Sequence, residues 1–380
     1  MKIKDMKILQ MSTSFLPVTP NLKYGGSERI VYLLDRELHS RGLSAGVVAP
    51  YGSEPASYLH PTLPKAIGVD DVLDKSKNNA FTGFAVRASH VAESINYANT
   101  LKGVDVVHLH DDNIIPFDFL INKPSLATLH SDIDSFWDLS LTPFLKERKS
   151  KFVSISQSQK KIYEAKGHRI DYVVYNGVEE EKFFISEANY SYLLTLGSIQ
   201  PVKGQDKAIE VAKKTGLDLI IAGNIGNAKY FENEIKPQIT HDLTKEENKL
   251  DSYISAYSNS PKIVYVGSVN DEQKAPLYSH AKAFLMPIDW EEPFGLVMVE
   301  AMMSGTPVIA FNKGSIPEVV KDGTGIIVPA GNLEEMARAV TESEQINPVL
   351  CRKIAVDNFG KDQMADNYIK IYEEINQNNG

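Results

Sequence analysis

The chain contains almost no cysteine and no long hydrophobic run. Cys351 is the only cysteine in 380 residues, which excludes an intramolecular disulfide framework, a CxxC redox pair and zinc sites built from several cysteines. No window approaches the ~18 consecutive apolar residues of a membrane-spanning helix. The N-terminal MKIKDMKILQMS is charged at intervals and lacks the apolar core of a signal peptide. These absences predict a cytoplasmic protein without a transmembrane segment.

An excess of basic residues is also lacking. The chain has 40 Lys+Arg against 49 Asp+Glu, and because the two balance within residues 1–185, residues 186–380 carry the whole net charge of −9. Binding to bulk nucleic acid needs a basic face, so we expect no nucleic-acid partner. The local cluster of Lys146, Arg148, Lys149 and Lys151 is more readily explained as a solvated face than as a phosphate contact, although it leaves a peripheral membrane contact open.

Short apolar runs alternate with amphipathic stretches along the whole chain. Runs such as DVVHLH and LDLIIAG are typical of parallel strands covered by helices on both faces. A chain of this length exceeds one ordinary core, so the pattern predicts two open α/β sheets. We expect the N-terminal domain to cover residues 1–185 and the second domain residues 186–360, with a join near Asn176 to Tyr192.

Two further segments complete the predicted organisation. A long helical stretch runs from about Pro348 to Ile375, and its end, about residues 360–380, is expected to pack back on the first domain. Residues 226–260 are polar and longer than an ordinary connection, which predicts a helical insertion or a mobile flap. In open parallel sheets ligands bind beyond the carboxyl ends of the strands, so the residues after each strand are the candidates for chemistry, in a cleft between the two sheets.

A glycine pair follows the first strand, in YGGSER. Gly25 and Gly26 would let backbone N–H groups approach a ligand at the start of a helix, where phosphate binds readily. A tight turn with Ser27 as N-cap is the ordinary alternative. The spacing does not fit the G-x-G-x-x-G motif of dinucleotide-binding proteins.

The loop after the first strand of the second half, GSIQPVKGQ, presents Lys203 at the start of a helix. A cation there is placed to meet a diphosphate, although a lone lysine in this position is more often a solvated surface residue. A P-loop is excluded because no GK[ST] follows.

The stretch WEEPFGLVMVEAMMSGTPVIA places a carboxylate inside an apolar helix. Pro293 suits a first helical turn and Gly305 with Pro307 a helix end. Glu300 lies ~9 Å along the helix from Phe294, at a rise of ~1.5 Å per residue, and its only evident partner is a ligand such as a ribose diol. The N–H groups of Phe294, Gly295 and Leu296 would face the phosphate end of the same ligand.

Histidines gather at strand ends in the first half. His108 and His110 lie on one face of a predicted strand, with Asp111 and Asp112 after them and His130 one strand later. A metal site is conceivable, but strand-end histidines beside a cleft more often form hydrogen bonds or face a substrate. We therefore expect no metal.

Several of these segments together resemble one family. GGSER, LHSD, NGV, GSIQPVKG, EEPFGLVMVEAMMSGTPVIA and GSIPEVVKDGTGIIV, in this order along the chain, are similar to motifs of the family 4 (group 1) glycosyltransferases of the GT-B fold. The resemblance extends from Lys7 to the C-terminal helix. It implies two Rossmann-like domains facing across a cleft, with the C-terminal helix crossing back to the first domain.

The resemblance also implies roles for individual residues. Glu292 and Glu300 match the two glutamates of the family's Glu-x7-Glu signature, of which the first contacts the donor sugar and the second the ribose. Lys203 matches the lysine that holds the donor diphosphate. Gly25 and Gly26 match the glycine loop over that group. His130, in TLHSD, matches the histidine beside the sugar at the reaction centre.

One position departs from the family pattern. Ser198 stands where the family usually has an arginine, directly after the glycine of GSIQPVKG. Serine supplies no charge, so another cation substitutes, with Lys207 or Arg29 as candidates, or stabilisation of the leaving group rests on Lys203 and on helix N-termini.

The implied activity is retaining transfer of a hexose-type sugar from a nucleotide diphosphate sugar to an acceptor hydroxyl, without metal or cofactor, in bacterial glycan or glycoconjugate synthesis. The acceptor is a sugar, a lipid-linked molecule or a small molecule. Two alternatives stay open: a GT-B-like nucleotide-sugar epimerase or hydrolase, and a catalytically weak nucleotide-sugar-binding subunit. The sequence leaves open the donor base and sugar, the acceptor and the oligomeric state.

Overall fold

A computed structural model describes residues 6–20, 22, 25–68, 80–131, 148–187, 192–255 and 261–377. The chain divides into two compact units, residues 1–177 with 361–380, and residues 178–360. The chain therefore leaves the first unit after Gly177, within the predicted join but earlier than residue 185. In the described part of the chain no helix is long and apolar enough to cross a bilayer.

The first unit contains a parallel seven-stranded sheet in the order β3-β2-β1-β4-β5-β6-β7. Its strands are β1 (Ile8–Met11), β2 (Ser44–Ala49), β3 (Leu59–Pro61), β4 (Val106–Leu109), β5 (Ser125–Leu129), β6 (Lys151–Ser154) and β7 (Tyr172–Val173). The central strands β1, β4 and β5 are buried along their whole length, as expected for strands covered on both faces. In register, Ile8 of β1 lies beside Val106 of β4.

Helices flank this sheet. They are α1 (Gly26–Ser40), α2 (Ala80–Thr100) and α3 (Gln157–Ala165), with a short 3₁₀ segment at Ile115–Leu120. Ser156 caps α3, its hydroxyl accepting from the Gln159 N–H, as expected for a helix N-cap.

The second unit repeats the plan with a parallel sheet in the order β10-β11-β9-β8-β12-β13-β14. Its strands are β8 (Tyr192–Leu196), β9 (Asp218–Ala222), β10 (His241–Asp242), β11 (Ile263–Gly267), β12 (Ala283–Met286), β13 (Val308–Phe311) and β14 (Gly325–Val328). Its helices before the C-terminal region are α4 (Gln205–Thr215), α5 (Ala228–Tyr230), α6 (Lys249–Ser255), α7 (Asp271–Ser279), α8 (Leu296–Met303), α9 (Ile316–Val319) and α10 (Leu333–Glu342). Two doubly wound α/β sheets thus confirm the predicted fold class.

The polar segment 226–260 is helical in large part, and it belongs to the second core. After α5 the chain continues as a π-helical turn, Phe231–Ile235, whose Phe231 and Ile235 are buried, and then forms the edge strand β10. This burial favours the helical insertion over the mobile flap for residues 228–235, and residues 256–260 lie outside the described part of the chain.

The long C-terminal helical stretch is two helices, α11 (Pro348–Phe359) and α12 (Lys361–Gln377), separated at Gly360. Gly360 is extended, with φ −65° and ψ 154°, which ends α11. Helix α12 belongs to the first unit, where Arg41 of α1 binds Asp362 and Asp366. The predicted return of the C-terminal helix to the first domain is confirmed.

In each sheet the strand order reverses at one point, between β1 and β4 in the first and between β8 and β12 in the second. Such topological switch points open a crevice at the carboxyl ends of the strands, where α/β proteins bind their ligands. The loops after these four strands carry most of the residues singled out from the sequence.

Candidate active site

The loop after β8 presents Lys203 at the switch point of the second sheet. Pro201–Lys203 form a 3₁₀ turn, and Gly204 after it has φ 69°, a left-handed conformation. A Cβ on Gly204 would lie 2.1 Å from the Pro287 carbonyl oxygen, so only glycine allows this approach to the loop after β12. The Asp289 N–H donates to the Val202 carbonyl at 2.9 Å and joins the two loops.

Lys203 and Glu292 form one cluster with Trp290. The lysine Nζ lies 2.9 Å from Glu292 Oε2 and 4.1 Å from the centre of the Trp290 ring. The indole N–H donates to the same Oε2 at 3.1 Å. Glu292 thereby orients the lysine, whose side chain keeps 23% of its surface exposed and has further N–H donors for an anion.

The loop after β13 supports this cluster from a third strand. Gly314 N–H donates to Glu291 Oε2 at 2.6 Å, and Ser315 N–H donates to the Glu292 carbonyl at 2.9 Å. A Cβ on Gly314 would lie 2.3 Å from the Glu292 nitrogen. Ser315 Oγ donates to the Phe294 carbonyl. The backbone on both sides of Glu292 is therefore held in place.

Helix α8 begins at Leu296, three positions after Pro293, which was expected in its first turn. Gly295 is the N-cap with φ 80°, and this left-handed residue separates Pro293 from the helix. Phe294 is buried with 1% of its surface exposed and packs edge-on against Phe359. Phe294 and Gly295 therefore form a turn before the helix, and Leu296 is its first helical residue.

Glu300 has partners within the protein, so the expectation that only a ligand could pair with it is wrong. The carboxylate is 3% exposed; its Oε1 accepts from Lys274 Nζ and its Oε2 from the Tyr278 hydroxyl at 3.2 Å. Both partners come from α7, one helical turn apart. The energetic need for a partner, which indicated a ligand from sequence, is met by this neighbouring helix.

Ser198 lies in a crowded part of the loop after β8. A Cβ on Gly226 would lie 2.3 Å from Ser198 Oγ, and Gln205 Nε2 donates to the Ser198 carbonyl at 3.1 Å. Lys207, one candidate for the missing cation, is paired with Asp289. Arg29, the other, donates to the Leu22 carbonyl at 2.7 Å.

In the first unit, the glycine pair begins α1 at the switch point of the sheet. Gly25 is the N-cap with φ 106°, and Gly26 is the first helical residue, so Ser27 is not the N-cap. A Cβ on Gly25 would lie 2.6 Å from Leu16 Cδ1. The buried Glu28 accepts from the Ser27 hydroxyl at 2.9 Å and from Thr13 Oγ1, which ties this helix start to the loop after β1.

His130 follows β5 directly and contacts His110, which follows β4. Nε2 of His130 and Nδ1 of His110 are 2.9 Å apart, so one ring donates and the other accepts. Burial lowers the pKa of His130 to about 4. Burial and the neighbouring imidazoles hold the pKa of His110 well below its usual value. Both rings are therefore neutral near pH 7.

A cavity of about 230 Å³ opens at these two histidines. It is lined by Thr13, Ser14, Phe15, Ser27, Arg87, His110, Asp111, Asp112, Asn113, His130 and Ser131. Nε2 of His110 is buried without a hydrogen-bond partner among the described residues. The lining is rich in donors and acceptors, which suits a ligand rich in hydroxyl groups.

His108 is fully buried, and both of its ring nitrogens are bonded by neighbouring side chains. Its Nδ1 lies 2.7 Å from the Tyr372 hydroxyl and its Nε2 2.7 Å from Thr128 Oγ1, which also bonds the Tyr368 hydroxyl at 2.9 Å. The two tyrosines come from α12, so His108 links the sheet to the C-terminal helix. Across the described ranges no group of three or more His, Cys, Asp and Glu is arranged to hold a metal ion.

Sequence reasoning missed three of these residues. Trp290 and Glu28 lie next to residues that were chosen, and a buried Glu beside a Gly-Gly turn was a usable signal. Lys274 had no signal, because its helix reads as an ordinary solvated stretch, DEQKAPLYS.

Comparison with known protein families gives two matches that follow each other along the chain. The family described as "Glycosyltransferase Family 4" matches residues 24–182, and "Glycosyl transferases group 1" matches residues 178–355. Together they include every candidate residue named above.

Curated relatives are similar over part of their length. A Klebsiella pneumoniae protein described as "Uncharacterized 41.2 kDa protein in cps region" is 31% identical over 52% of this chain and 48% of that protein. A D-inositol 3-phosphate glycosyltransferase of Mycobacteroides abscessus is 28% identical over 48% of this chain and 40% of the relative. The aligned region thus spans about half, or less, of these relatives.

Solved structures match over nearly the whole chain. AviGT4, a glycosyltransferase involved in avilamycin A biosynthesis, has a TM-score of 0.69 at 21% identity and covers 98% of both chains. Anabaena Alr3699/HepE in complex with UDP has a TM-score of 0.70 at 18% identity and covers 97% of this chain and 100% of that one. At such identities the likeness shows the GT-B fold alone. With the two family matches joined end to end over residues 24–355, the chain belongs to the family 4, or group 1, glycosyltransferases.

Proposed function

We propose that the protein transfers a sugar from a nucleotide diphosphate sugar to an acceptor hydroxyl, with retention at the anomeric carbon. The observation that carries the proposal is the cluster of Lys203, Glu292 and Trp290 at the switch point of the second sheet. It presents an oriented, partly exposed ammonium next to the start of α8. A departing diphosphate gains negative charge, and a preorganised cation stabilises that charge most in the transition state.

In the proposed reaction the bond between the anomeric carbon and the diphosphate oxygen breaks, and the acceptor oxygen bonds to that carbon from the same face. The acceptor proton passes to the departing diphosphate oxygen, so no enzyme carboxylate needs to become glycosylated. Lys203 and the backbone N–H groups at Gly295 and Leu296 stabilise the diphosphate, with Gly25 and Gly26 assigned to the same group. Glu292, which holds Lys203, also contacts the donor sugar.

We assign binding of the donor's ribose to Glu300. Two of the approximately four acceptor positions of its carboxylate are used by Lys274 and Tyr278, which leaves acceptors for the two ribose hydroxyls. Ser198 lies in the same loop as Lys203 and contributes a neutral hydroxyl where a further cation is usual in the family.

The first unit is assigned the reacting sugar and the acceptor. His130 is neutral over the physiological range, since burial lowers its pKa to about 4, so its role is to bond a hydroxyl group. The polar cavity beside it fits a hydroxyl-rich acceptor. Proton abstraction by His130 is not required, because the diphosphate accepts the proton.

The comparisons support a nucleotide donor. Anabaena Alr3699/HepE has been solved with UDP and with UDP-glucose, and a Mycobacterium leprae relative, 32% identical over 30% of this chain, is named a phosphatidyl-myo-inositol mannosyltransferase. We further propose that the donor sugar is a hexose and that catalysis needs neither a metal nor a cofactor. We also propose that the protein acts in the cytoplasm, in bacterial glycan or glycoconjugate synthesis.

The test combines binding and turnover. The melting temperature of the purified protein is measured in the presence of UDP, GDP, ADP or CDP, because a ligand that binds the folded state raises it. The nucleotide that binds is then supplied as its sugar conjugate, with and without a panel of sugar and lipid-linked acceptors. Transfer with a retained anomeric configuration supports the proposal. Free sugar or an epimer without acceptor indicates a hydrolase or epimerase, and binding without any turnover indicates a binding subunit.

A further inference from the structure

Lys274 is a buried lysine whose ammonium group contacts a candidate site residue. It is 5% exposed, and its Nζ bonds Glu300 Oε1 and lies 3.0 Å from Asp271 Oδ1. The ring of Phe183 lies 5.7 Å from the same nitrogen. A lysine in such a place is costly unless it is paired, because its charge has lost most of its water.

The pairing alone does not account for a lysine at this position. Replacing both members of a buried ion pair with apolar residues of similar size is often neutral or stabilising, so such a pair is weak grounds for a role in stability alone. The pair does, however, fix the orientation of the Glu300 carboxylate. Lys274 bonds one carboxylate oxygen of Glu300 and the Tyr278 hydroxyl bonds the other at 3.2 Å, so rotation of the carboxylate about its last bond breaks both.

The supports of Glu300 are themselves fixed. Lys274 and Tyr278 lie four residues apart on the same face of α7, and Tyr278 is fully buried. The Tyr278 carbonyl accepts from Thr306 Oγ1 in the turn that follows α8. Asp271, in the first turn of α7, holds Lys274 at 3.0 Å and is in turn bonded by Lys182 at 2.9 Å. The carboxylate is thus oriented by a network of side chains that reaches back to the start of the second unit.

We propose that Lys274 is a positioning residue of the donor site, which orients the Glu300 carboxylate so that its remaining lone pairs face the ribose hydroxyls. This inference rests on the proposed function, in which Glu300 contacts the ribose. Lys274 itself does not touch the donor. The effect of Lys274 on binding is specific to the ribose, since the diphosphate is assigned to Lys203, which lies in the loop after β8 and not on helix α7.

The experiment measures how strongly the protein discriminates between nucleotides with and without a ribose hydroxyl. Dissociation constants are determined for whichever of UDP, GDP, ADP and CDP binds wild type, and for its 2′-deoxy and 3′-deoxy counterparts. A hydrogen bond to a charged group is worth about 1.5–3 kcal/mol, so we expect wild type to lose roughly tenfold or more in affinity for at least one deoxy nucleotide.

Lys274→Met removes the ammonium and keeps most of the volume. In this variant we expect the dissociation constants for the ribonucleotide and the deoxynucleotide to differ by no more than about twofold. Its affinity for the ribonucleotide should fall, and its affinity for the deoxynucleotide should change much less. Lys274→Arg, which keeps a cation, is expected to restore part of the discrimination. Lys282→Met is the matched control, since this lysine of the same unit pairs with Glu344, outside the network that orients Glu300, and it should discriminate as wild type does.

A structural role alone predicts a different result. Lys274→Met would then lower the melting temperature and weaken both nucleotides by the same factor, and that outcome overturns the inference. If Lys274→Met does not fold, Lys274→Gln decides, because it removes the positive charge and has a shorter side chain: unchanged discrimination with full affinity overturns the inference, and reduced discrimination with diphosphate affinity preserved supports it. Failure of the proposed function shows separately in wild type, which would then bind none of the four nucleotides, or would bind one without transferring its sugar to any acceptor.

Discussion

The ammonium of Lys203 lies 2.9 Å from the carboxylate of Glu292, although 89 positions separate them in the chain. The Trp290 ring covers the lysine at 4.1 Å. The protein's own side chains therefore orient the cation, which lowers the reorganisation needed in the transition state. Under the proposed function, Glu292 acts on the diphosphate through Lys203 as well as on the sugar directly.

Lys203→Ala should lower the rate of transfer more than it weakens donor binding. Charge on the leaving diphosphate grows along the reaction, so the lost ammonium matters most in the transition state. The measurement is kcat together with the dissociation constant of the donor. Lys214→Ala is the control, because Lys214 is at the far end of helix α4 and is paired with Glu334. Equal losses in rate and binding would indicate that Lys203 only binds the ground state.

Glu300→Ala should destabilise the protein as well as weaken donor binding. It leaves Lys274 buried without its main partner, and breaking a buried pair in this way costs about 3–5 kcal/mol. Denaturant unfolding measures the loss. Glu300→Gln, which keeps one acceptor oxygen for Lys274 and an N–H that the Tyr278 hydroxyl can accept, should lose less stability, and its nucleotide affinity then reports on the ribose contact. A Glu300→Ala protein as stable as wild type would contradict the assigned ion pair.

His130→Ala should reduce transfer by at least about tenfold, equivalent to ~1.4 kcal/mol of transition-state stabilisation. Nucleotide affinity and melting temperature should change little, because His130 is only partly buried and bonds a single described neighbour, His110. His60→Ala is the control, a histidine of the same unit that pairs with Glu93 away from the cavity. A large loss of stability with full activity per folded molecule would contradict the role assigned to His130 in sugar transfer.

The free energy of unfolding should fall when the pH drops below about 6.5, the usual pKa of histidine. Burial lowers the pKa of His108, His110 and His130 in the folded protein, so in this range the unfolded chain binds protons that the folded chain does not. Stability is thus complete above that pH and lost on acidification, by up to ~1.4 kcal/mol per pH unit and group. Denaturant unfolding at pH 5.5 and 7.5 measures this, and His130→Gln should show a smaller difference. Identical differences in both proteins would contradict the lowered pKa.

Ser198→Arg tests whether the loop after β8 has room for the missing cation. Gly226 lies so near that its Cβ would come within 2.3 Å of Ser198 Oγ, so we expect the longer side chain to displace the loop and lower transfer unless it turns outward. Ser198→Ala is the control and should be close to wild type. Raised activity in Ser198→Arg, measured as kcat/KM, would show that the site accepts the cation and gains from it.

The sequence predicted the fold, because the fold depends on patterns that are local. Apolar runs of strand length separated by helical periods specify parallel strands covered on both faces, and glycines at their ends mark the loops. Both sheets and the return of the C-terminal helix followed from this and from the family resemblance. The same reasoning placed Gly25, His130, Lys203 and Glu292 in segments that follow strands, and the structure has them in the segments after β1, β5, β8 and β12.

The partners of these residues were decided only by tertiary structure. From sequence, Glu300 needed an unseen partner and a ribose was the evident one, but Lys274 and Tyr278 lie 26 and 22 positions earlier on a helix that reads as solvated. Helix α8 begins at Leu296 and not at the predicted Pro293, because the left-handed Gly295 and the hydrogen bonds from the loop after β13 fix a turn before the helix. Local sequence determines which segments become strands and helices; it does not determine which distant side chains packing brings to within 3 Å, and those contacts determine the geometry of the candidate site.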